Sequence, residues 1–529
     1  MKNSHYNIVT AFLGVVIGVL ATLIITSSPR KEEVVKFDGD YNQWRKLNLV
    51  LQQIEKHYVD TIDLKSMTDA AVVAALAELD PHSIYLPPVE LNEAETELAA
   101  NFEGIGITFN VPGDTAIVLS VIAGGPSEKA GLAVGDRIIK VDDRVIAGTR
   151  THQDSMVRYM KGPSGTKVDI LVNRDGEEVL FNITRGKIPM HSVDASFMVD
   201  DYTGYIKLAK FSRTTYKEFA AAAQTLKAKG MTHLIFDLRS NSGGYFDQAL
   251  LVSNEFLPEG ADIVYMEGLN RRREQYDADG DGLLQDIKLT VLIDEISASS
   301  SEIVAGAIQD NDRGTVIGRR SYGKGLVQEP IYFSDGSGIR LTVARFHTPS
   351  GRCIQKPYNK KEGDYMYDII DRYTHGELVS ADSMKVDTTA VFYTVNGRKV
   401  YGGGGIIPDV FVPMDTTRAT NFYIKCNKKA TSMRFASAML DKYKSTLSAI
   451  EDFEELDRFL ESISIEKQFV EYALNEDKIT VSKEEWKESR EYMMPQVKGL
   501  VGRFSKLGEE AFYRFYLPMD KAVQAAVSQ

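Results

Sequence analysis

The sequence predicts a multidomain α/β chain: an N-terminal membrane helix, a small helical domain, a mixed α/β body and a helical C-terminal domain. Three observations carry this. The chain has 529 residues, enough for several domains, and its 43% hydrophobic and 26% charged content is that of an ordinary globular protein. Ile8 to Ile25 is an uncharged run of 18 residues. From about residue 100 to 412, short apolar β-branched runs are interspersed with helical patterns and glycine-rich turns, whereas beyond Met414 the pattern is helical and charged. The net charge of −12 and the lack of a basic run argue against a nucleic-acid partner. No zinc-ligand cluster and no His-Glu-x-x-His is present, so neither metal nor cofactor is expected. The two cysteines, Cys353 and Cys426, are too few to decide the redox compartment.

Taken in order, the uncharged run would span about 27 Å as a helix, just enough for a bilayer core. Thr26, Ser27 and Ser28 follow it, but Pro29 comes next and there is no Ala-x-Ala cleavage pattern, so an uncleaved anchor is favoured over a signal peptide. Trp44, Leu47, Leu51, Ile54 and Tyr58 form an amphipathic helical stripe, and Met67 to Leu79 reads as a second helix, stopped at Asp80-Pro81. Ile117 to Val121, Val168 to Asn173 and Glu178 to Ile183 read as strands. So do Gly204 to Leu208, Leu234 to Leu238 and Leu289 to Ile293, with an alanine-rich helix over 215–229. Asp277 to Gly282 starts like a calcium loop, but Lys288 stands where a bidentate Glu is needed, so it reads as a solvated turn.

The stretch Val291 to Gln328 carries the chemistry. An apolar strand runs into Ser297-Ala298-Ser299-Ser300-Ser301, and Ile303, Val304, Ala307 and Ile308 then repeat at helical spacing. The serine turn therefore sits at a helix start, where free N–H groups and the helix dipole favour negative charge. A serine there could have its oxyanion stabilised by main-chain donors. Downstream, Lys324 lies between Gly323 and Gly325. A lysine serves as a serine's base only if desolvation pulls its pKa down. An N-cap serine with no catalytic part is the plain alternative.

With both motifs on the page, this stretch resembles the active-site region of the carboxy-terminal processing proteases, PDZ-containing serine endopeptidases of the tail-specific type. Their pattern is Ser-Ala-Ser-Ala-Ser-Glu, a helix, then Phe-Gly-Lys-Gly-x-Val-Gln. The resemblance implies Ser299 as nucleophile, with Lys324, 25 positions later, as base and Gln328 orienting it. The string Asp237-Leu238-Arg239-Ser240-Asn241-Ser242-Gly243-Gly244 is similar to the family's oxyanion loop, with Ser242 replacing a proline. It implies an oxyanion hole made by the N–H groups of Gly243 and Ser300. Gly104-Ile105-Gly106-Ile107 resembles the PDZ loop that captures a peptide C-terminus, although Lys161 stands where the family often has an arginine. Leu79-Asp80-Pro81-His82-Ser83, Thr348-Pro349-Ser350-Gly351-Arg352 and Gly405-Ile406-Ile407-Pro408-Asp409 match further family elements.

The resemblance covers roughly residues 40 to 412. It implies an anchor or signal over 1–30, a helical domain over 36–97 and a PDZ domain over 98–186. A protease core of crotonase/Clp-like type follows over 187–412, interrupted by an insertion at about 356–400, and a helical domain occupies 413–529. The implied partners are proteins or peptides with exposed C-termini and, through the N-terminal helix, the membrane; homo-oligomerisation stays open. The body is expected in the cell envelope, anchored to the inner membrane and outside the cytoplasm. Two rivals remain: a catalytically dead PDZ scaffold, and a Ser/His/Asp hydrolase using His82, His233 or His347.

Overall fold

The computed structural model describes residues 43–98, 101–111, 113–122, 124–189, 191–358, 365, 367–416 and 420–529. The proposed membrane segment at 8–25 lies outside these residues. Among the described residues no helix is long and apolar enough to cross a membrane. The chain divides into two units, residues 1–71 and 72–529. Helix Gln43–His57 belongs to the first, and helix Leu64–Ala77 begins there and ends in the second.

The second unit is built around a six-stranded sheet. Its order is Val193–Met198, Thr203–Leu208, His233–Asp237, Lys288–Ile293, Thr315–Gly318 and Val410–Phe411. The first pair is antiparallel and the rest are parallel. Every residue of Thr203–Leu208 and His233–Asp237 is buried, because helices cover both faces of a parallel sheet. On one face Phe219, Phe236, Phe256, Val291, Ile303 and Ile308 join one cluster under the helices Thr215–Ala228, Phe246–Asn254 and Ser300–Asp310. On the other, Phe197, Tyr205, Ile235 and Leu292 pack against Leu517, Val523 and Ala526. The last helix, Lys521–Val527, thus completes the core of a sheet that begins more than 300 residues earlier.

A second sheet carries the Lys324 loop and forms the other wall of the candidate site, opposite helix Ser300–Asp310. Gly338–His347 pairs with Ile84–Leu86, with Asp262–Gly268 and with Leu326–Tyr332. The segment 356–400 adds helix Asp368–Thr374 and the hairpin of Val391–Tyr393 with Lys399–Tyr401.

A five-strand meander, Ile107–Asn110, Ala116–Val121, Arg137–Val141, Lys167–Arg174 and Glu177–Thr184, encloses Val118, Ile138, Met156, Ile170 and Ile183. Its helix is Gln153–Met160. The chain enters and leaves through a paired stem, Asn101–Gly104 against Gly186–Pro189. The helices from Asn421 to Tyr516 have their own core around Phe422, Phe435, Leu456, Phe469 and Val497. Leu119 and Val134 of the meander pack onto that core, and Arg137 pairs with Asp441 at 2.5 Å. Cys353 and Cys426 are free thiols; Cys426 is buried among these helices.

Candidate active site

The serine turn joins the end of strand Lys288–Ile293 to helix Ser300–Asp310, all of whose residues are buried. Ser299 has φ 54 and ψ −113, a strained conformation worth about 1–3 kcal/mol that persists only where surrounding contacts impose it. Those contacts are plain. Ser297 Oγ donates to Leu238 O at 2.9 Å, Ser300 Oγ to Gly244 O at 3.1 Å and Ser301 Oγ to Asn241 O at 2.9 Å. Three of the four hydroxyls are spent on main-chain carbonyls; the Ser299 hydroxyl donates to none among the described residues.

The turn and the lysine loop are joined by a residue that sequence reasoning left as an ordinary helix position. Glu302 is fully buried. Its Oε2 accepts from the N–H of Ser299 at 2.8 Å and of Lys324 at 2.9 Å; its Oε1 accepts from Gly323 N at 2.7 Å and Ser321 Oγ at 2.5 Å. Burial pushes the carboxyl above the usual glutamate range, while these donors pull the other way. The Ser-x-x-Glu spacing of a capping box was the available signal.

Lys324 is half-buried. Its Nζ donates to Gln328 Oε1 at 3.2 Å, and no hydrogen bond joins it to Ser299 Oγ among the described residues. Burial, then the neighbouring Arg340 charge, hold its amine below the ordinary lysine value; Glu302 and Asp80 oppose them. The Gln328 amide donates in turn to His82 O. His82 sits in the Asp-Pro-His-Ser turn, where Asp80 accepts from His82 N at 2.8 Å and Ser83 N at 2.9 Å. Its ring pairs with Tyr365 OH at 2.7 Å, and burial and the Lys324 charge lower its pKa to about 4. His233 pairs with Thr290 Oγ1 and His347 with Gly351 O, so none of the three histidines considered for a triad is bonded to Ser299.

The loop from Asp237 to Gly244 lies directly against Ser299. A Cβ at Gly243, φ +98, would meet Ala298 O at 2.8 Å and Ser299 Cβ at 2.9 Å, so only glycine fits. In this state the Gly243 N–H donates to Asn241 Oδ1 at 2.9 Å. The Ser300 N–H has no hydrogen bond among the described residues. Asn241 is fully buried and was missed from sequence. Its Nδ2 holds Leu208 O at 3.0 Å, and its carbonyl takes Ala298 N at 3.0 Å. Beneath the loop, Arg239 chelates Asp237 at 2.6 Å and reaches Asp520 at 2.7 Å.

In the meander, Ile105 and Gly106 are buried, and their carbonyls accept from Ser127 N at 2.9 Å and Ile122 N at 3.1 Å. Strand Ile107–Asn110 is an edge: among the described residues it pairs only with Ala116–Val121, which leaves its other side open for an added strand. The Arg185 side chain reaches the end of the helix Gln153–Met160, donating to Tyr159 O at 2.9 Å and Met160 O at 3.1 Å, while the N–H of Lys161 donates to Val157 O at 2.9 Å. Among the described residues no group of three or more His, Cys, Asp or Glu could hold a metal.

Comparison with known proteins adds the following. The profile of peptidase family S41 matches residues 202–362, and a PDZ domain profile matches 104–184. The chain is 34% identical over 324 residues to the carboxy-terminal processing protease CtpA of Bacillus subtilis, covering 60% of this chain and 68% of that one. It is 35% identical over 313 residues to the carboxyl-terminal-processing protease of Synechocystis, covering 57% of this chain and 72% of that one. Among solved structures, the photosystem II D1 C-terminal processing protease is 29% identical at TM-score 0.37, covering 59% of this chain and 84% of that one.

Proposed function

Since the chain belongs to the carboxy-terminal processing proteases of peptidase family S41, serine proteases with a PDZ domain, we propose that Ser299 is its nucleophile and Lys324 its general base. One observation carries the assignment of residues: a single oxygen, Glu302 Oε2, bonds the main-chain N–H of both. Neutral Lys324 leaves Gln328, turns to Ser299 and takes its hydroxyl proton as Oγ attacks the scissile carbonyl. The N–H of Ser300 and the N–H of Gly243, once released by Asn241, hold the oxyanion. The ammonium of Lys324 then protonates the departing amine. Water, deprotonated by the same lysine, attacks the acyl-enzyme and returns Ser299. Gln328 returns the amine to its resting place. Gly104, Ile105, Gly106 and Ile107 take the C-terminus of the substrate as it adds to the open strand edge.

Ser299→Ala and Lys324→Ala each reduce peptide cleavage by about 10³-fold or more, with the circular dichroism spectrum unchanged. A fluorophosphonate probe labels the natural chain and not Ser299→Ala; labelling elsewhere, or full activity of Lys324→Ala, rejects the pair. The uncharged run at 8–25 supports an inner-membrane anchor, and the family resemblance, not the flanking charges, is the ground for the body lying outside the cytoplasm. Fractionation with alkaline extraction tests it: release of the whole chain into the soluble fraction rejects the anchor.

A further inference from the structure

Arg340 stands on strand Gly338–His347, across from Pro330 on one side and Ile84 on the other. Cross-strand partners and residues two apart share a face. Thr342, the partner of Gln328, therefore lies on the same face as Arg340. That face carries the Gln328 amide and, on it, the Lys324 amine. Arg340 is half-buried, yet its guanidinium makes no hydrogen bond or ion pair among the described residues. Acidic residues of the neighbouring strands and turn have other partners. Asp80 holds His82, Ser83 and Thr342; Glu95 takes the Tyr332 hydroxyl; Glu329 pairs with Arg271. The Arg340 charge is felt at Lys324 and at Tyr332, on either side of it along the cleft wall.

A fixed cation beside a catalytic base, partly withdrawn from water and with no partner, is costly unless something arrives to pair with it. A planar guanidinium fits a carboxylate through two parallel N–H donors. We propose that Arg340 is a substrate-binding residue that receives a carboxylate of the polypeptide next to the bond being cut. The carboxylate is either an acidic side chain or, in a substrate whose end has left the loop at Gly104 to Ile107, the chain's own terminus. This rests on the protease reading above. It also gives the substrate a part in setting the base: a bound carboxylate neutralises the charge that disfavours a protonated Lys324.

The test uses the full chain and a peptide series sharing one scissile sequence. Asp or Glu is exchanged for Asn or Gln at each flanking position, and each peptide is made with a free or an amidated C-terminus. Wild type prefers one acid over its amide by about tenfold or more in kcat/KM, the scale on which a site built to bond a polar group rejects its isostere. Arg340→Gln brings that ratio close to one, Arg340→Lys keeps part of it, and Arg340→Glu reverses it towards a lysine at the same position. The position at which the ratio appears identifies side chain or terminus as the source. An unchanged ratio in Arg340→Gln overturns the inference. So does an equal loss for every peptide together with a shifted pH profile, which would confine Arg340 to tuning Lys324. A wild-type chain that cleaves no peptide at all would instead overturn the protease reading beneath it.

Discussion

The two walls of the cleft are held by unequal amounts of structure. The serine wall hangs from the central parallel sheet. Its helix Ser300–Asp310 is buried throughout, Asn241 is fully buried, and the turn's flanking hydroxyls and amides are tied to main chain. The lysine wall is an edge. Leu326–Tyr332 is paired along Gly338–His347 and grows steadily more exposed from Leu326 to Tyr332, and the Lys324 amine has one hydrogen bond. Segments with few buried contacts open at lower cost than packed ones. On the proposed assignment the nucleophile Ser299 is thus preset in a strained turn, and assembling the site falls to the lysine wall, whose amine has to leave Gln328 for Ser299. On the same reading the Gly243 N–H has a similar step to make, from Asn241 to the substrate.

The sharpest way to break this contrast is Glu302→Ala, which removes the carboxylate shared by the walls and leaves Ser299 N–H, Gly323 N–H and Lys324 N–H buried without an acceptor. Chemical denaturation should show a loss on the order of 3 kcal/mol, and kcat/KM should fall by about 10³-fold. Asp520→Asn acts on the serine wall from behind, by loosening Arg239 under the oxyanion loop. A loss of about 1–2 kcal/mol with a lower kcat and little change in KM would confirm that role; an unchanged kcat would confine Asp520 to capping helix Lys521–Val527, where its carboxylate accepts from the N–H groups of Ala522 and Val523. Lys324→Met should separate the walls' duties: cleavage stops, while thermal unfolding moves up by about 1 kcal/mol of stability, because a buried amine is replaced by an apolar chain.

The pH dependence sharpens the comparison further. A protonated Lys324 cannot accept a proton, so activity should fall as pH drops through its lowered pKa, and a pH profile of kcat/KM reports that limb. His82 acts on stability. Its pKa is about 4 in the fold against 6.5 ordinarily, so between those values the unfolded chain binds the extra proton. Stability should therefore drain away as pH falls from 6.5 to about 4, and Tyr365→Phe, which removes the hydrogen bond to His82, should lower stability by about 1 kcal/mol.

Much of this was legible in the sequence. The strands around 204–208, 234–238 and 289–293 appear within a residue or so of their expected ends, because continuous apolar runs are what a doubly covered parallel sheet demands. The spacing that singled out Ser299 corresponds to a place where the neighbouring hydroxyls are all committed. What the sequence did not show are partners far apart along the chain. Gln328 meets the carbonyl of His82 across 246 positions, and His82 meets Tyr365 across 283. Asn241 is one residue in a motif, and nothing local says that its amide holds the Gly243 N–H. Arg340 reads as one polar residue on a strand, and only the cross-strand register shows which face it occupies.

The helix Lys521–Val527, packed behind the central sheet, has a consequence for biosynthesis. Ribosomes deliver this chain from its N-terminus, so the residues that cover Tyr205, Ile235 and Leu292 emerge long after the strands that carry those side chains. A nascent polypeptide can carry the serine, the lysine and the peptide-docking module and still have an oily flank and an unanchored Arg239. Closure of this flank of the sheet therefore waits on residues translated more than 200 positions after the strands they cover.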